Sequence, residues 1–432
     1  MHHFFALEAP FGGEGFAAPM LAAWNPHCDG VGMRYKAEMS RTPSTPAPLP
    51  QIKPAALCDF HRKMAVWYAR EGRHDLPWRQ TDDAYAIWIS EVMLQQTQVS
   101  TVLARFYHPF LAKFPTIEAL AKAPCEAVMK AWEGLGYYRR AGFLHEAAKE
   151  VVRRELSVFS KDIAPIGHNS LTTDDSQRTT LLSLPGIGRN TAHAILAFAH
   201  HRPVAILEAN VKRVVARIFA LEMPNEAQLW AGAQMLLNAH EPFDHNQAMM
   251  DLGAQICTPK RPDCARCPAH SMCRGKGAPE NYPTPKTKKQ TPTRYVDILV
   301  REDAVGKLHL EPRKAALLGG LYGFVQVSRE SFRGSRKQKI PHDSPLTPHD
   351  CLGTVTHVYS HFRLEGRVLH TRLEETMSGA PWYNRAEIAA LPLSTVDHKV
   401  LALVDKCNSR PKKHAQSPVA RATALTTRGT GR

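Results

Sequence analysis

The sequence predicts a mostly α-helical domain followed by a small α+β domain, with an irregular segment at each end. From Leu57 onwards apolar residues recur at helical spacing, and no segment before about residue 280 alternates convincingly like a β-strand. The stretch 279–294 is rich in Pro and Lys, which is typical of a linker. The predicted parts are a disordered extension at 1–50, the helical domain at 51–280, the linker at 281–294, the α+β domain at 295–405 and a basic disordered tail at 406–432.

The helical domain begins with an amphipathic pattern, followed by a nearly continuous apolar stretch. The apolar positions of the first helix are Leu57, Phe60, Met64 and Trp67. The stretch 85–99 predicts a buried helix that contains one carboxylate, Glu91. Helical patterns continue through 119–132, and residues 157–178 predict a long polar loop. Beyond that loop, helices resume and continue to about residue 253.

A glycine-containing turn at 184–188 lies between two helical patterns. Gly186 and Gly188 can adopt positive φ, and neither carries a Cβ atom that would block a close approach. The peptide N–H groups of such a turn, opening onto a helix, form a natural seat for a phosphate. About twenty residues later, Glu208 stands in an apolar setting ahead of a basic helix. A phosphate-binding turn followed by a carboxylate predicts an enzyme that binds DNA and acts on a carbon atom of the sugar.

Composition narrows the class of partner and the cellular setting. The chain has 432 residues with 55 basic and 40 acidic side chains, and its formal charge of +15 favours a polyanionic partner. Charge alone does not separate DNA from RNA or an anionic membrane. No apolar run approaches the length of a membrane span. Residues 1–33 contain no Lys or Arg, so they lack the basic start of a secretory signal. We expect a monomeric cytoplasmic protein.

Four of the nine cysteines fall within seventeen residues, at a spacing typical of a metal site. They are Cys257, Cys264, Cys267 and Cys273. Four thiolates at this spacing can hold a [4Fe–4S] cluster, with zinc as the competing metal. The long first interval favours the cluster over zinc. Because the cysteines are far from the hydrolytic residues in the sequence, we expect the cluster to serve folding and DNA positioning.

The α+β domain is predicted from short alternating apolar runs. Residues 295–300 and 307–310 alternate like strands, and 319–324 form a glycine-rich turn. Residues 355–359 and 362–369 predict two further strands. The domain is therefore small and built around a sheet.

The turn with Glu208, the 76–99 stretch and the cysteine spacing together resemble the helix-hairpin-helix DNA glycosylases, and among them the MutY family of adenine glycosylases. The resemblance implies that Glu91 is the general acid that protonates adenine and that Glu208 is the second carboxylate, which stabilises the sugar cation. In that family the second carboxylate is an aspartate followed by glycine, whereas here Glu208 is followed by Ala209. The extra methylene leaves two outcomes open, a working variant with an adjusted turn or a weakened enzyme.

The resemblance also implies a set of DNA contacts. Trp78, Arg79 and Asn210 match the adenine side of the site, and Leu94, Gln96 and Tyr137 match residues that enter the duplex where the base is extruded. Gly186 and Gly188 contact phosphate, as Lys212 is expected to do. Asn190 occupies the place where endonuclease III carries its Schiff-base lysine, which predicts a glycosylase without lyase activity.

In the C-terminal domain, Tyr359, Ser360 and His361 resemble the loop with which MutY reads 8-oxoguanine, with Tyr in place of the usual Phe. The domain resembles a Nudix fold but lacks the hydrolase box, so lesion recognition rather than nucleotide hydrolysis is implied.

The sequence therefore predicts a nucleoid-associated bacterial adenine DNA glycosylase without lyase activity. Its substrate would be double-stranded DNA with A:8-oxoguanine or A:G mispairs. Two alternatives stay open at this point. One is a DNA-damage binding protein of the same fold with impaired catalysis, and the other is a glycosylase and lyase like endonuclease III.

Overall fold

The computed structural model describes residues 48–159, 171–285, 290–313, 318–329, 350–374 and 380–409. The prediction for residues 1–47 and that for the tail from residue 410 lie outside these ranges. Among the described residues, no helix combines the length and apolar character needed to cross a membrane.

The helical domain contains only helices and turns in the residues described up to 285. In chain order they are α1 (Pro54–Glu71), α2 (Ala84–Leu94), α3 (Val99–Arg105), α4 (Tyr107–Lys113), α5 (Ile117–Lys122), α6 (Cys125–Ala131), α7 (Arg139–Arg153), α8 (Leu171–Leu182), α9 (Arg189–Ala199), α10 (Ala209–Phe219), α11 (Glu226–Leu236) and α12 (Pro242–Asp251), with a π-helical turn at Leu252–Ile256. The absence of strands from this part agrees with the helical periodicity of its sequence.

The predicted polar loop at 157–178 is wrong in its second half, because α8 begins at Leu171. This helix has few apolar residues, so its sequence lacks the periodic pattern that marks an amphipathic helix. Its anchor is Leu181, which is fully buried in the core beside α9. One buried leucine near the end of a polar run does not produce a periodic signal.

Two hydrophobic cores build the helical domain, and α2 and α9 lie between them. One core surrounds Trp88 and Trp132, and the other surrounds Phe60 and Trp230. A small cluster that includes Ile87, Phe198 and Ile206 joins α2 and α9 to the segment before α10. Packing therefore fixes both the helix that carries Glu91 and the segment that leads into Glu208.

The C-terminal domain is a mixed sheet covered by helices. Its elements are β1 (Thr293–Glu302), β2 (Leu308–His309), β3 (Glu311–Pro312), β4 (Tyr322–Gly323), β5 (Val325–Ser328), β6 (Asp350–Val358), β7 (Arg363–Arg372), β8 (Trp382–Tyr383), α13 (Arg385–Ala390) and α14 (Thr395–Asn408). The order in the main sheet is β6-β7-β1-β2-β8, with β1 parallel to β7 and β5 paired antiparallel to β1. The predicted strands at 295–300, 307–310, 355–359 and 362–369 fall on β1, β2, β6 and β7. The helix α14 runs to Asn408, past the predicted domain end at 405.

The two domains touch where α6 ends. Lys130 Nζ donates to the Leu391 carbonyl at 2.9 Å, and Glu133 Oε1 accepts from the Leu393 N–H at 3.0 Å. The same Glu133 oxygen lies 2.6 Å from Nε2 of His398, on α14. These contacts place the C-terminal domain beside residues 130–133 of the helical domain.

Candidate active site

The helix α2 carries Glu91 into the interior. Asp83 caps its first turn by accepting from the N–H groups of Tyr85 and Ala86, at 2.9 and 3.3 Å. Nearly every residue from Ala84 to Met93 is buried, so Glu91 is the one carboxyl on an otherwise apolar helix. Burial, and then repulsion from Glu208, raise the pKa of Glu91 to about 7, while Arg79 opposes the shift. About half of the Glu91 carboxyls therefore keep their proton at neutral pH.

Glu208 is the N-cap of α10, and its side chain folds back onto its own helix. Its Oε2 accepts from the Asn210 N–H at 2.8 Å, and its Oε1 accepts from the Val211 N–H at 3.1 Å. Shorter side chains are usual at this position. Burial raises the pKa of Glu208, while the two N–H bonds favour its ionised form. The longer carboxylate is accommodated by making the contacts of a helix cap, so its position is set by the backbone of α10.

Three consecutive backbone N–H groups ahead of Glu208 are each bound by a carboxamide oxygen from a different helix. The bonds join Ala205 N to Gln234 Oε1 (3.1 Å), Ile206 N to Asn246 Oδ1 (3.0 Å) and Leu207 N to Asn190 Oδ1 (2.8 Å). We call Asn190, Gln234 and Asn246 the carboxamide clamp. Asn246 is buried and also donates to two carbonyls, those of Val204 and Pro242. The clamp fixes the segment that leads into Glu208.

Asn190 stays a predicted DNA or substrate contact, and in the structure its side-chain oxygen accepts from the Leu207 N–H. The other two clamp residues were missed by sequence reasoning, because neither lies near the recognisable motifs. Only the fold brings α9, α11 and α12 around one strand-like segment.

The turn at 184–188 contains two glycines, and only Gly186 adopts the positive φ that glycine permits. Gly186 has φ +75°, and a Cβ there would lie 2.6 Å from Cβ of Phe143. Gly188 instead has extended backbone with φ −89° and caps the N-terminus of α9. A Cβ at Gly188 would meet nothing within 4 Å. Gly188 therefore does not use the positive φ that glycine permits, and packing does not require a glycine there.

Arg79 and Trp78 are both buried in this structure. Arg79 forms a bidentate ion pair with Asp251 at the end of α12, with N···O distances of 2.7 and 2.9 Å. Trp78 packs edge-on against Tyr107, with the ring centres 5.1 Å apart. Arg79 therefore acts on the site through its charge, which favours ionisation of Glu91. The partner Asp251 was not predicted, although it directly follows the apolar residues 248–250.

Gln96 and Tyr137 lie on two exposed turns that we call the wedge loops, residues 95–97 and 136–137. Both residues adopt left-handed backbone conformations, with φ of 58° and 49°. The Tyr137 side chain is 45% exposed. Leu94 is half-buried and packs on the helical core. Strained, exposed residues on well-packed supports are common at functional sites.

Asn210 and Lys212 project from the first turn of α10. Asn210 Oδ1 accepts from Arg213 at 2.9 Å, and Lys212 Nζ lies 3.2 Å from the exposed Glu226. An exposed ion pair of this kind is weak, so a phosphate can replace Glu226 as the partner of Lys212.

The turn between β6 and β7 carries the predicted recognition residues. The Tyr359 N–H donates to the Phe362 carbonyl at 2.8 Å, and the two rings lie 4.7 Å apart. Ser360 and His361 are exposed at the tip. Burial raises the pKa of Tyr359 to about 12, and Tyr138 of the helical domain contributes to that shift. Tyr359 therefore lies within electrostatic range of Tyr138, the residue that follows Tyr137 in the sequence.

The four cysteines of the predicted metal site line one cavity, together with Arg217. The cavity has about 320 Å³ of empty space, part of it open to solvent. All four thiols are free, and burial, followed by the neighbouring cysteines, raises the pKa of Cys267 to about 12. As the described side chains are placed, no three His, Cys, Asp or Glu groups could hold a metal ion.

Comparison with known proteins places this geometry in a family. The description "HhH-GPD superfamily base excision DNA repair protein" matches residues 89–235, and a NUDIX domain matches 297–403. The adenine DNA glycosylase of Rattus norvegicus is 32% identical, over 90% of this chain and 86% of its own length. The chain belongs to the adenine DNA glycosylase family. The Homo sapiens member is 31% identical, over 85% of this chain and 79% of its own length. A solved thermostable thymine-DNA glycosylase matches 52% of this chain and 97% of its own, with 27% identity and a TM-score of 0.45.

Membership in the adenine DNA glycosylase family confirms the predicted family, fold class and enzyme class. The matched helical region contains Glu91, the 184–188 turn and Glu208, and the matched NUDIX region contains residues 359–361. This adenine glycosylase is therefore a DNA N-glycosylase whose two matched regions each hold one part of the predicted site.

Proposed function

We propose that this glycosylase removes adenine paired with 8-oxoguanine or guanine in double-stranded DNA, with Glu91 and Glu208 carrying the chemistry. The observation behind the proposal is a pair of interacting carboxyls in unequal surroundings. Glu91 lies on an apolar helix, whereas two N–H groups at the start of α10 bind the Glu208 carboxylate. Surroundings that separate the protonation states of two carboxyls assign one as the acid and the other as the ion that stabilises positive charge.

Glu91 acts as the general acid. Adenine leaves poorly as an anion, so a proton must reach the base as the glycosidic bond breaks. A carboxyl with a pKa near 7 holds a proton at neutral pH and still gives it up readily.

Glu208 stabilises the sugar cation that forms as adenine leaves. The N–H bonds of α10 fix its carboxylate, and the carboxamide clamp fixes the backbone behind it. Water then completes an abasic site. Asn190 supplies no Schiff-base nucleophile in this scheme because its side chain is an amide, and Lys212 is assigned to a phosphate contact. The activity is therefore that of a glycosylase without a lyase step.

DNA enters over the 184–188 turn, the wedge loops and the recognition turn. The open space at Gly188 allows a phosphate to approach the N-terminus of α9. Gln96 and Tyr137 enter the stack where adenine is extruded, since an amide can hydrogen-bond and a ring can stack. Tyr359, Ser360 and His361 read the opposite base, and their proximity to Tyr138 supports reading and extrusion at one site.

The four cysteines would hold a [4Fe–4S] cluster. Four free thiols around one cavity match the ligand set of such a cluster. When bound, the cluster supplies a rigid cross-link of the 257–273 loop rather than hydrolytic chemistry. Iron and acid-labile sulfide analysis of the purified protein should give four of each per chain. Bound zinc without sulfide would contradict the assignment.

The function is tested by single-turnover adenine release from duplexes with A:8-oxoguanine, A:G and A:T pairs. The native protein should release adenine from the first two and not from A:T. Glu91→Gln should slow release by at least about 100-fold, because general acid catalysis is lost. Glu208→Asp should stay within about tenfold of the native rate, because the α10 amides also suit a shorter carboxylate.

Two results would contradict the proposal. Tight native binding without release, with release recovered in Glu208→Asp, would show a damage-binding protein instead of an enzyme. A borohydride-trapped covalent adduct would show a lyase of the endonuclease III type.

A further inference from the structure

Arg140, near the start of α7, contacts both wedge loops through one guanidinium group. Its Nη1 donates to the carbonyls of Val92 (2.7 Å), Met93 (2.9 Å) and Gln95 (2.6 Å), and its Nη2 donates to Thr97 Oγ1 (3.3 Å) and to the Gly136 carbonyl (3.1 Å). The guanidinium carbon also lies 5.3 Å from the ring centre of Tyr137.

The first set of bonds places the Arg140 side chain at the C-terminal end of α2, the helix that carries Glu91. The last carbonyls of a helix have no partner within it, and a cation at this end is favourable. Arg140 supplies a donor to the carbonyls of Val92, Met93 and Gln95. These carbonyls lie just before Gln96, which has a left-handed backbone conformation. The first wedge loop therefore starts from a fixed helix end.

On the other side, Arg140 holds the turn of Tyr137. It shares the Gly136 carbonyl with Trp132, whose Nε1 donates at 3.1 Å. Its guanidinium also lies 5.4 Å from the Trp132 ring centre, so a fully buried tryptophan backs the contact. Left-handed backbone at a residue other than glycine costs on the order of 1 kcal/mol and persists only where the surroundings impose it. The Arg140 contacts help to impose the left-handed backbone conformation on Tyr137 and on Gln96.

Burial lowers the pKa of Arg140 to about 10, so the side chain stays charged at neutral pH. A lysine could keep the charge, but its single ammonium group cannot reproduce a planar fork that reaches five acceptors. The function of Arg140 thus depends on its shape as well as on its charge.

We infer that Arg140 is a positioning residue for base extrusion, which locks Gln96 and Tyr137 into one rigid unit that enters the DNA. The inference rests on the proposed function, because it takes the wedge loops as the part that displaces adenine. Arg140 does not act on adenine or the sugar itself. Its loss should therefore slow extrusion and leave proton transfer from Glu91 unchanged.

The test uses the full chain with Arg140→Met and Arg140→Lys, and with Arg139→Met as the control. Arg139 is an exposed neighbour that lies over Phe143, so its loss removes the same charge without touching either wedge loop. Single-turnover release is measured on an A:8-oxoguanine duplex and on a duplex whose target adenine is already unpaired in a bulge. Extrusion is followed separately by 2-aminopurine placed beside the adenine, in a Glu91→Gln background.

Arg140→Met should slow release from the paired substrate by at least about tenfold, with most of the loss recovered on the bulged substrate. Arg140→Lys should fall between Arg140→Met and the native protein. The 2-aminopurine signal should rise more slowly in both, and the pH dependence of release should keep its midpoint. Equal losses on both substrates, or an unchanged fluorescence rise, would overturn the inference.

Failure of the proposed function would look different. In that case the native protein itself would release no adenine, while the fluorescence comparison would still report on Arg140.

Discussion

Glu91 is held in surroundings that oppose its ionised form, which links activity to pH. The pKa of about 7 in the folded protein exceeds the value of 4.5 expected without the fold. Release of adenine should therefore fall as the pH rises through about 7, because the proton donor is lost. Single-turnover rates across the pH range check this. A rate that rises through neutral pH would show that Glu91 is not the acid.

The raised pKa of Glu91 should also make the free energy of unfolding depend on pH. A carboxyl whose pKa is raised on folding contributes stability that is fully present below pH 4.5 and is lost as the pH rises through 7. Relative to the native protein, Glu91→Gln should thus gain roughly 2 to 3 kcal/mol in unfolding free energy between pH 4.5 and 8. Urea unfolding at several pH values measures the gain. The exposed Glu146→Gln serves as control, and a gain that does not depend on pH would contradict the assignment.

At the scale of elements, the carboxamide clamp sets the approach to Glu208. Asn246→Ala leaves the Ile206 N–H without its partner and should cost about 2 kcal/mol of stability. Single-turnover release should fall while duplex binding is kept, because the change moves Glu208 and not the DNA-contacting loops. The control is Asn238→Ala, where the side chain caps only a local turn. Equal rates for both variants would show that the clamp does not position Glu208.

Much of the site could be predicted because its signals are local. Glu91 is one charge on an apolar helix, and the cysteines follow a recognisable spacing. Arg140 and Asn246 could not be predicted, because most of their partners lie 40 to 48 residues away and carry no pattern. The helix α8 escaped because its sequence is mostly polar and has no helical periodicity. The backbone of Gly188 could not be read from the sequence, because glycine permits positive φ without requiring it.

At the scale of the whole molecule, Glu133 links the helical domain to the C-terminal domain. Burial raises its pKa, but bonds to His398, Lys130 and the Leu393 N–H outweigh burial, and the net shift is downward. The contribution of a carboxyl with a lowered pKa is present above about pH 4.5 and is lost as the pH falls below it. The Glu133 carboxylate therefore keeps its bonds to the Leu393 N–H and His398 at neutral pH.

Glu133→Gln should loosen this contact, because the uncharged amide attracts His398 and Lys130 less strongly. We expect release from A:8-oxoguanine to slow by about three- to tenfold, since ion-pair contacts of this kind contribute on the order of 1 kcal/mol. Release from A:G should change little, because guanine lacks the feature that residues 359–361 are proposed to read. Single-turnover rates on both duplexes give the ratio directly, with the exposed Glu126→Gln on α6 as control. A parallel loss on both substrates would mean that Glu133 supports the helical domain and does not couple it to lesion recognition.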